Sequence, residues 1–155
     1  MLSTATNQII DRYCGELLTD GDFDNADEIL APDFVIHGVQ TLRSRERFLD
    51  VQSTVIRKAF PDLRIDVKDV FGDNEKVAVR SVIRGTHQGE YLGVEPTGTK
   101  IETEAVMLCR LSDGRLTEVW PYMDSLSWFQ QLGGIPLMEW QKGGSTASHE
   151  HERTV

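Results

Sequence analysis

A single carboxylate, Asp124, lies between aromatic and apolar residues late in the sequence. It follows Trp120 and Tyr122 at alternate positions and precedes the helix-like run SLSWFQQL. In an extended strand these three side chains share one side of a sheet. If that side faces a pocket poor in water, Asp124 is a candidate general base. The alternative is a helix N-cap, where Asp is a preferred residue; the pattern leaves both interpretations open.

Two histidines are candidates to work beside this acid. His87 ends a predicted strand between two glycines, where a neutral imidazole can donate a hydrogen bond to an enolate oxygen or transfer a proton. His37, in the stretch FVIHG, is a candidate to line the same pocket. Each has an alternative: a turn histidine bonded to backbone for His87, and a core histidine with satisfied hydrogen bonds for His37. The remaining two, in HEH (149–151), lack the neighbouring ligands of a metal site, so we expect no metal.

Aromatic residues at several points are candidates to form the walls of a binding pocket. Tyr91 precedes the loop GVEPTG, which is able to close over one side, although a simple strand connection explains the loop equally. Aromatic residues at helical spacing also pack in ordinary cores, so burial alone does not separate the two roles. The candidate substrate-binding residues are Trp120, Tyr122, Phe129, Tyr13 and Tyr91.

The apolar periodicity predicts the elements that must position these residues. Helical spacing is found over residues 7–18, 25–30 and 44–60, with a short strand at 34–38 between the last two. After Pro61 the period changes to two, and turn signals separate four strands, with SDG (112–114) as a hairpin turn. Helices followed by consecutive strands indicate an α+β fold with a curved antiparallel sheet around a cone-shaped cavity.

Composition restricts the class of protein. The 155 residues carry a net charge of −9, which argues against binding nucleic acid or anionic membranes. No apolar run is long enough for a transmembrane helix, and no leader is recognisable. Two distant cysteines are typical of a reduced, cytoplasmic protein. We expect one domain over residues 1–142 and a disordered polar tail over 143–155.

The C-terminal half resembles a known family. The stretches THQGEYLGVEPTGTKIE, RLSDGRLTEVW and FQQLG, with Asp124 between the last two, are similar to the SnoaL-like ester and polyketide cyclases of the nuclear transport factor 2-like superfamily. The resemblance covers about residues 5–135. It implies a sheet with N-terminal helices over its concave face, and Asp124 at the position of the family's base. The family often has a second acid after the strand Trp, where this chain has Pro121.

The resemblance also implies a reaction. We expect intramolecular aldol ring closure of a small apolar, oxygenated substrate, without a cofactor, with Asp124 as base and His87 and His37 assisting. The alternatives are a module of the same fold that binds a small molecule or dimerises without turnover, and an isomerase or hydrolase that uses the same acid. Pairing through a convex sheet face would give a homodimer.

Overall fold

Six strands form one curved sheet in the computed structural model, which describes residues 1–134. The strands are β1 (Leu30–His37), β2 (Thr41–Arg43), β3 (Arg64–Gly72), β4 (Lys76–Thr86), β5 (Lys100–Ser112) and β6 (Arg115–Met123). Their order across the sheet is β2-β1-β6-β5-β4-β3. The predicted α+β class and the four consecutive antiparallel strands β3 to β6 are confirmed.

The alternation of side chains along β5 defines the two faces of the sheet. Ala105, Met107 and Cys109 are buried, while the intervening Val106 and Leu108 are exposed. Because successive side chains in a strand point to opposite faces, one face carries the core and the other faces solvent. We call these the concave and convex faces.

Helices cover the concave face. They are α1 (Thr4–Arg12), continued by a π-helical segment (Tyr13–Thr19), then α2 (Ala26–Ile29), α3 (Arg45–Val51), a second π-helical segment (Gln52–Ile56), α4 (Arg57–Ala59) and, after β6, α5 (Ser125–Leu132). Each predicted helical region contains a helix. Side chains of Ser3 and Ser44 cap α1 and α3 by accepting from backbone N–H groups in the first turn.

The edge of the sheet differs from the prediction. β1 begins at residue 30, four residues earlier than expected. It pairs with β6 in a parallel orientation, whereas an antiparallel sheet was predicted. Pro32, two residues after the predicted helix 25–30, lies inside β1, where the pairing with β6 shifts register between Leu30 and Val35. A shift of this kind accommodates a residue that lacks an N–H. The three-residue β2 was not predicted because its run is too short to show a period.

Two groups of buried apolar residues form the core. The larger group joins α1 and its π-helical extension to the centre of the sheet, and it includes Tyr13, Phe34 and Phe48. The smaller group includes Phe60 and Trp128 and lies under α5. No helix within residues 1–134 is long and apolar enough to cross a membrane. The predicted boundary at residue 142 and the predicted tail, residues 143–155, lie outside the described residues.

Arg57 connects the end of the first helical region to the residues that follow α4. Its Nη1 donates to the carbonyl oxygens of Leu18 (3.0 Å) and Thr19 (2.9 Å), and its Nη2 donates to the carbonyl oxygen of Pro61 (3.0 Å). These carbonyls end the helical regions and have no partner within them. A planar guanidinium reaches all three at once, whereas a lysine ammonium is a single point charge.

We predict that Arg57→Ala lowers the free energy of unfolding by about 2 kcal/mol, because three carbonyls lose a charged donor. Arg57→Lys should lose a smaller part of this. The measurement is urea unfolding followed by circular dichroism. Arg47→Ala is the control, because Arg47 is exposed and forms only a surface ion pair with Asp50, and it should cost less than about 0.5 kcal/mol. Equal losses for the two alanine variants would contradict the assigned role.

Candidate functional site

A cavity of about 510 Å³ lies between the helices and the concave face. Residues of both core groups line it, among them Phe48 from α3, Phe60 after α4, and Met107 from β5. No Lys, Arg, Asp or Glu is among the described residues that line it. A largely apolar pocket of this size is typical of a small-molecule site.

Four buried polar atoms that belong to lining residues have no hydrogen-bond partner within the described chain. They are the hydroxyl oxygens of Tyr13 and Ser81, the Oε1 of Gln52 and the indole Nε1 of Trp128. Leaving such an atom buried and unpaired costs about 1–3 kcal/mol. The two hydroxyls and the indole N–H can donate hydrogen bonds to the oxygens of a bound molecule, whereas the Oε1 of Gln52 can only accept one.

Two tyrosines of the cavity, Tyr13 and Tyr91, have raised pKa values. Burial raises the pKa of Tyr13 well above its usual value, and burial also raises the pKa of Tyr91. Both residues line the cavity, where the sequence analysis expected them. Because each hydroxyl stays protonated at neutral pH, each is a potential hydrogen-bond donor rather than a base.

Ser81 and Gln52 were not among the predicted site residues, although the sequence carries a signal for each. Ser81 continues the buried alternation of β4 two residues after Val79, but with a polar side chain. Gln52 follows the buried Phe48 by four residues and precedes Ile56 by four, so it lies on the inward side of its helical region. In both places a polar residue occupies a position with apolar periodicity.

The pairing register of β6 corrects the predicted orientation of two aromatic residues. Trp120 pairs with Leu108 and Tyr122 with Val106, so both follow the convex parity. The residues that face the concave side are Pro121 and Met123, which line the cavity. Tyr122 touches the edge of the cavity, but its relative exposure is 59%. The expectation that Trp120 lines the cavity is therefore wrong, whereas Tyr122 meets the cavity only at its edge.

His37 also lies on the convex side. Its ring stacks on Trp120 at 5.0 Å between centroids, and its Nε2 is 2.6 Å from Oε2 of Glu118. The parallel pairing explains this contact, because Val35 is opposite Glu118 and His37 is two residues further along the same face. His37 reaches the edge of the cavity, while its imidazole is held by this histidine–glutamate pair.

Asp124 is the N-cap of α5. Its Oδ1 accepts from the backbone N–H of Ser127 at 3.0 Å, and the residue is exposed. It does not line the cavity, although its neighbours Met123 and Ser125 do. The expectation of an acid enclosed in a dry pocket is therefore wrong, and the capping interpretation is confirmed. The Oδ2 of Asp124 accepts no hydrogen bond from residues 1–134.

His87 is completely buried but does not line the cavity. Its Nδ1 lies 3.2 Å from the donating N–H of Thr97 and 3.1 Å from the Thr97 hydroxyl, which assigns the proton of the neutral ring to Nε2. Its ring packs on Phe60 at 5.6 Å, and its own backbone bonds to Thr99 and Gly98. His87 therefore anchors the loop that follows β4.

This loop carries Tyr91 to the cavity. The N–H groups of Gln88 and Gly89 donate to the carbonyl of Ala59, at the end of α4. A Cβ at Gly89 would lie 2.3 Å from the carbonyl oxygen of Lys58, so only glycine allows this approach. Phe129 stacks on Tyr91 at 6.3 Å between centroids and is not among the lining residues. Phe129 therefore contacts the lining residue Tyr91 without lining the cavity itself.

Comparison with known proteins identifies the family. The model of the SnoaL-like polyketide cyclases matches residues 8–132. The chain belongs to the SnoaL-like polyketide cyclase family. Among curated proteins none gives a significant match.

Several solved structures share the fold. A SnoaL-like candidate polyketide cyclase from Jannaschia sp. CCS1 superposes with a TM-score of 0.77 at 26% identity, over 86% of this chain and 94% of that one. IdmH, a candidate polyketide cyclase from Streptomyces antibioticus, gives 0.70 at 34% identity, over 84% and 99%. AclR, a candidate hydroxylase from Streptomyces galilaeus, gives 0.72 at 27% identity, over 84% and 97%.

Within this SnoaL-like chain, Pro121 and Asp124 differ in their position relative to the cavity. Pro121, which follows Trp120 directly, pairs with Met107 and faces the cavity. Asp124 caps α5 and does not line the cavity. The inward position at the end of β6 therefore carries no carboxylate.

The capping contact gives a test of the structure at Asp124. We predict that Asp124→Ala lowers the free energy of unfolding by about 1 kcal/mol through loss of the N-cap, measured by urea unfolding. Asp124→Asn should stay within a few tenths of a kcal/mol of the parent, because Asn caps helices about as well as Asp. A parental stability for Asp124→Ala would contradict the observed cap.

Proposed function

We propose that the protein catalyses cofactor-free intramolecular aldol ring closure of a small, apolar, carbonyl-rich substrate in this cavity. The observation that carries the proposal is the apolar cavity, four of whose lining residues have a buried polar atom without a partner within the described chain. Membership of the SnoaL-like family supports a cyclase reaction. An apolar wall would hold the substrate chain in a folded conformation, and the neutral donors would donate hydrogen bonds to its oxygens as negative charge develops on them.

The proposed reaction rearranges bonds without net loss of atoms. A base removes a proton from a carbon between two carbonyl groups, and the resulting enolate carbon attacks a second carbonyl carbon to form the new C–C bond. The alkoxide that results then takes a proton. We assign the base role to Asp124, since its Oδ2 is unpaired and its neighbours Met123 and Ser125 line the cavity. Neutral phenol and indole donors near the oxygens would stabilise the enolate.

The test uses as substrate an aromatic β-keto methyl ester that carries a further ketone, positioned so that the acidic carbon can attack it intramolecularly. Ring closure gives a product of unchanged mass and a new chromatographic position, and no oxygen from labelled water enters it, which separates cyclisation from hydrolysis. We predict that Asp124→Asn lowers the rate by roughly 100-fold or more, the usual contribution of a positioned base, with folding unchanged. Asp113→Asn, in the exposed turn between β5 and β6, is the matched control. Parental turnover by Asp124→Asn would remove Asp124 as the base.

One observation favours a second function, binding without turnover. No carboxylate lines the cavity within the described residues, and Pro121 occupies the inward strand position. A protein of this kind would hold a ligand but would not accelerate proton exchange at its acidic carbon. Deuterium exchange of the β-ketoester C–H in D₂O, followed by NMR, distinguishes the two functions: a rate equal to that in buffer alone favours the binding protein.

A homodimer is the second part of the proposal. Phe71, Ala78, Leu108 and Trp120 form one row across four strands of the convex face, because each pairs with the next. Phe71 and Leu108 are exposed, and the neighbouring row adds Val106 and Tyr122. We call these six residues the convex patch. Contiguous exposed apolar surface of this kind is typical of an interaction site, and a second copy of the chain would cover it.

Light scattering coupled to gel filtration tests the dimer. We predict a mass twice the 17.5 kDa of one chain at micromolar concentration. Leu108→Lys should give a monomer, because it places an unpaired charge at the centre of the convex patch. Leu126→Lys is the control, since Leu126 is similarly exposed but lies on α5. A parental chain that elutes as a monomer would contradict the proposal.

A further inference from the structure

The unpaired polar atoms of the cavity come from different walls. Ser81 lies on β4, in the floor formed by the sheet, and Trp128 lies on α5. Their relative exposures are 1% and 3%, and both residues line the cavity. The hydroxyl of Ser81 and the indole Nε1 of Trp128 form no hydrogen bond with each other or with any other described residue.

The chemistry of these two groups restricts what they can hold. The indole N–H of Trp128 only donates, so its partner must be an acceptor. The hydroxyl of Ser81 can donate as well as accept. A ligand with two separate acceptor oxygens can therefore provide a hydrogen-bond partner for both groups. Ring carbonyls meet this condition and also match the apolar surroundings.

The charge of the cavity adds a second restriction. The described lining residues include no Lys or Arg, and the chain carries a net charge of −9. A ligand carboxylate inside the cavity would be desolvated without a cationic partner, which is costly. The ligand should therefore enter uncharged, with any carboxyl group masked as an ester.

We propose that Ser81 and Trp128 are specificity-determining residues that bind two carbonyl oxygens of an uncharged aromatic ligand. This inference rests on the proposed function for its assignment of the cavity as a substrate site, and it goes further by naming the groups that select the ligand. It concerns binding, so it is measured without turnover.

Three naphthalene probes test the inference. In 2,6-diacetylnaphthalene two carbonyls are present; in 2,6-diisopropylnaphthalene methyl groups of similar size replace the oxygens; in 6-acetyl-2-naphthoate one end is charged. The protein is titrated into a dilute solution of each probe, and the dissociation constant is obtained from probe fluorescence. We expect the diketone to bind roughly tenfold or more tightly than either of the other probes.

Variants assign the two contacts. Ser81→Ala and Trp128→Phe should each weaken binding of the diketone by roughly five- to tenfold and change binding of the diisopropyl probe by less than about twofold. Trp120→Phe is the matched control, because Trp120 lies on the convex face and its loss should leave all three affinities unchanged. Ser81→Ala should also raise the thermal midpoint of the free protein, because it removes an unpaired buried hydroxyl.

The outcomes separate this inference from the proposed function. Equal affinities for the diketone and the diisopropyl probe, parental diketone binding by both variants, or no binding of any probe would overturn it. If the selectivity and the variant effects are found but no ring closure occurs, the proposed cyclase function fails and the binding assignment stands. If ring closure occurs without carbonyl selectivity, the binding assignment of Ser81 and Trp128 fails and the proposed cyclase function stands.

Discussion

The register between β5 and β6 decides which side chains of the last strand meet the cavity. Because side chains alternate, pairing Met107 with Pro121 sends Pro121 inward and sends Trp120 and Tyr122 outward. A slip of one residue would exchange the two sets and would place two aromatic rings in the cavity. The cavity wall, the convex patch and the environment of His37 all depend on this single pairing.

The cavity combines an apolar wall with polar atoms that the protein leaves unpaired. Each such atom lowers the stability of the free protein, because its bonds to water are lost on folding without replacement. Tyr13, Ser81 and Trp128 each carry such an atom although their side chains are buried among apolar residues. A bound molecule that supplies the missing partners would regain part of this energy, which is the physical basis of both proposals about the cavity.

The elements around the cavity are held by contacts to backbone rather than by apolar packing alone. Arg57 joins the end of the first helical region to the end of the third, and His87 fixes the loop that carries Tyr91. These side chains do not touch the space a ligand would occupy, but they fix the positions of those that do. Rigid support of this kind keeps binding groups within the small tolerances that catalysis needs.

The sequence alone determined the class of fold, the helical regions and the four antiparallel strands, because apolar periodicity directly reports which residues must be buried. It also predicted that Tyr13 and Tyr91 line the cavity, Tyr13 from helical periodicity and Tyr91 from its place before a loop. Only the tertiary structure decided that Trp120 faces outward and that Asp124 caps a helix, since alternation shows that residues share a face but not which face is buried. The parallel pairing of β1 with β6 joins segments about 80 residues apart, and no local pattern contains it.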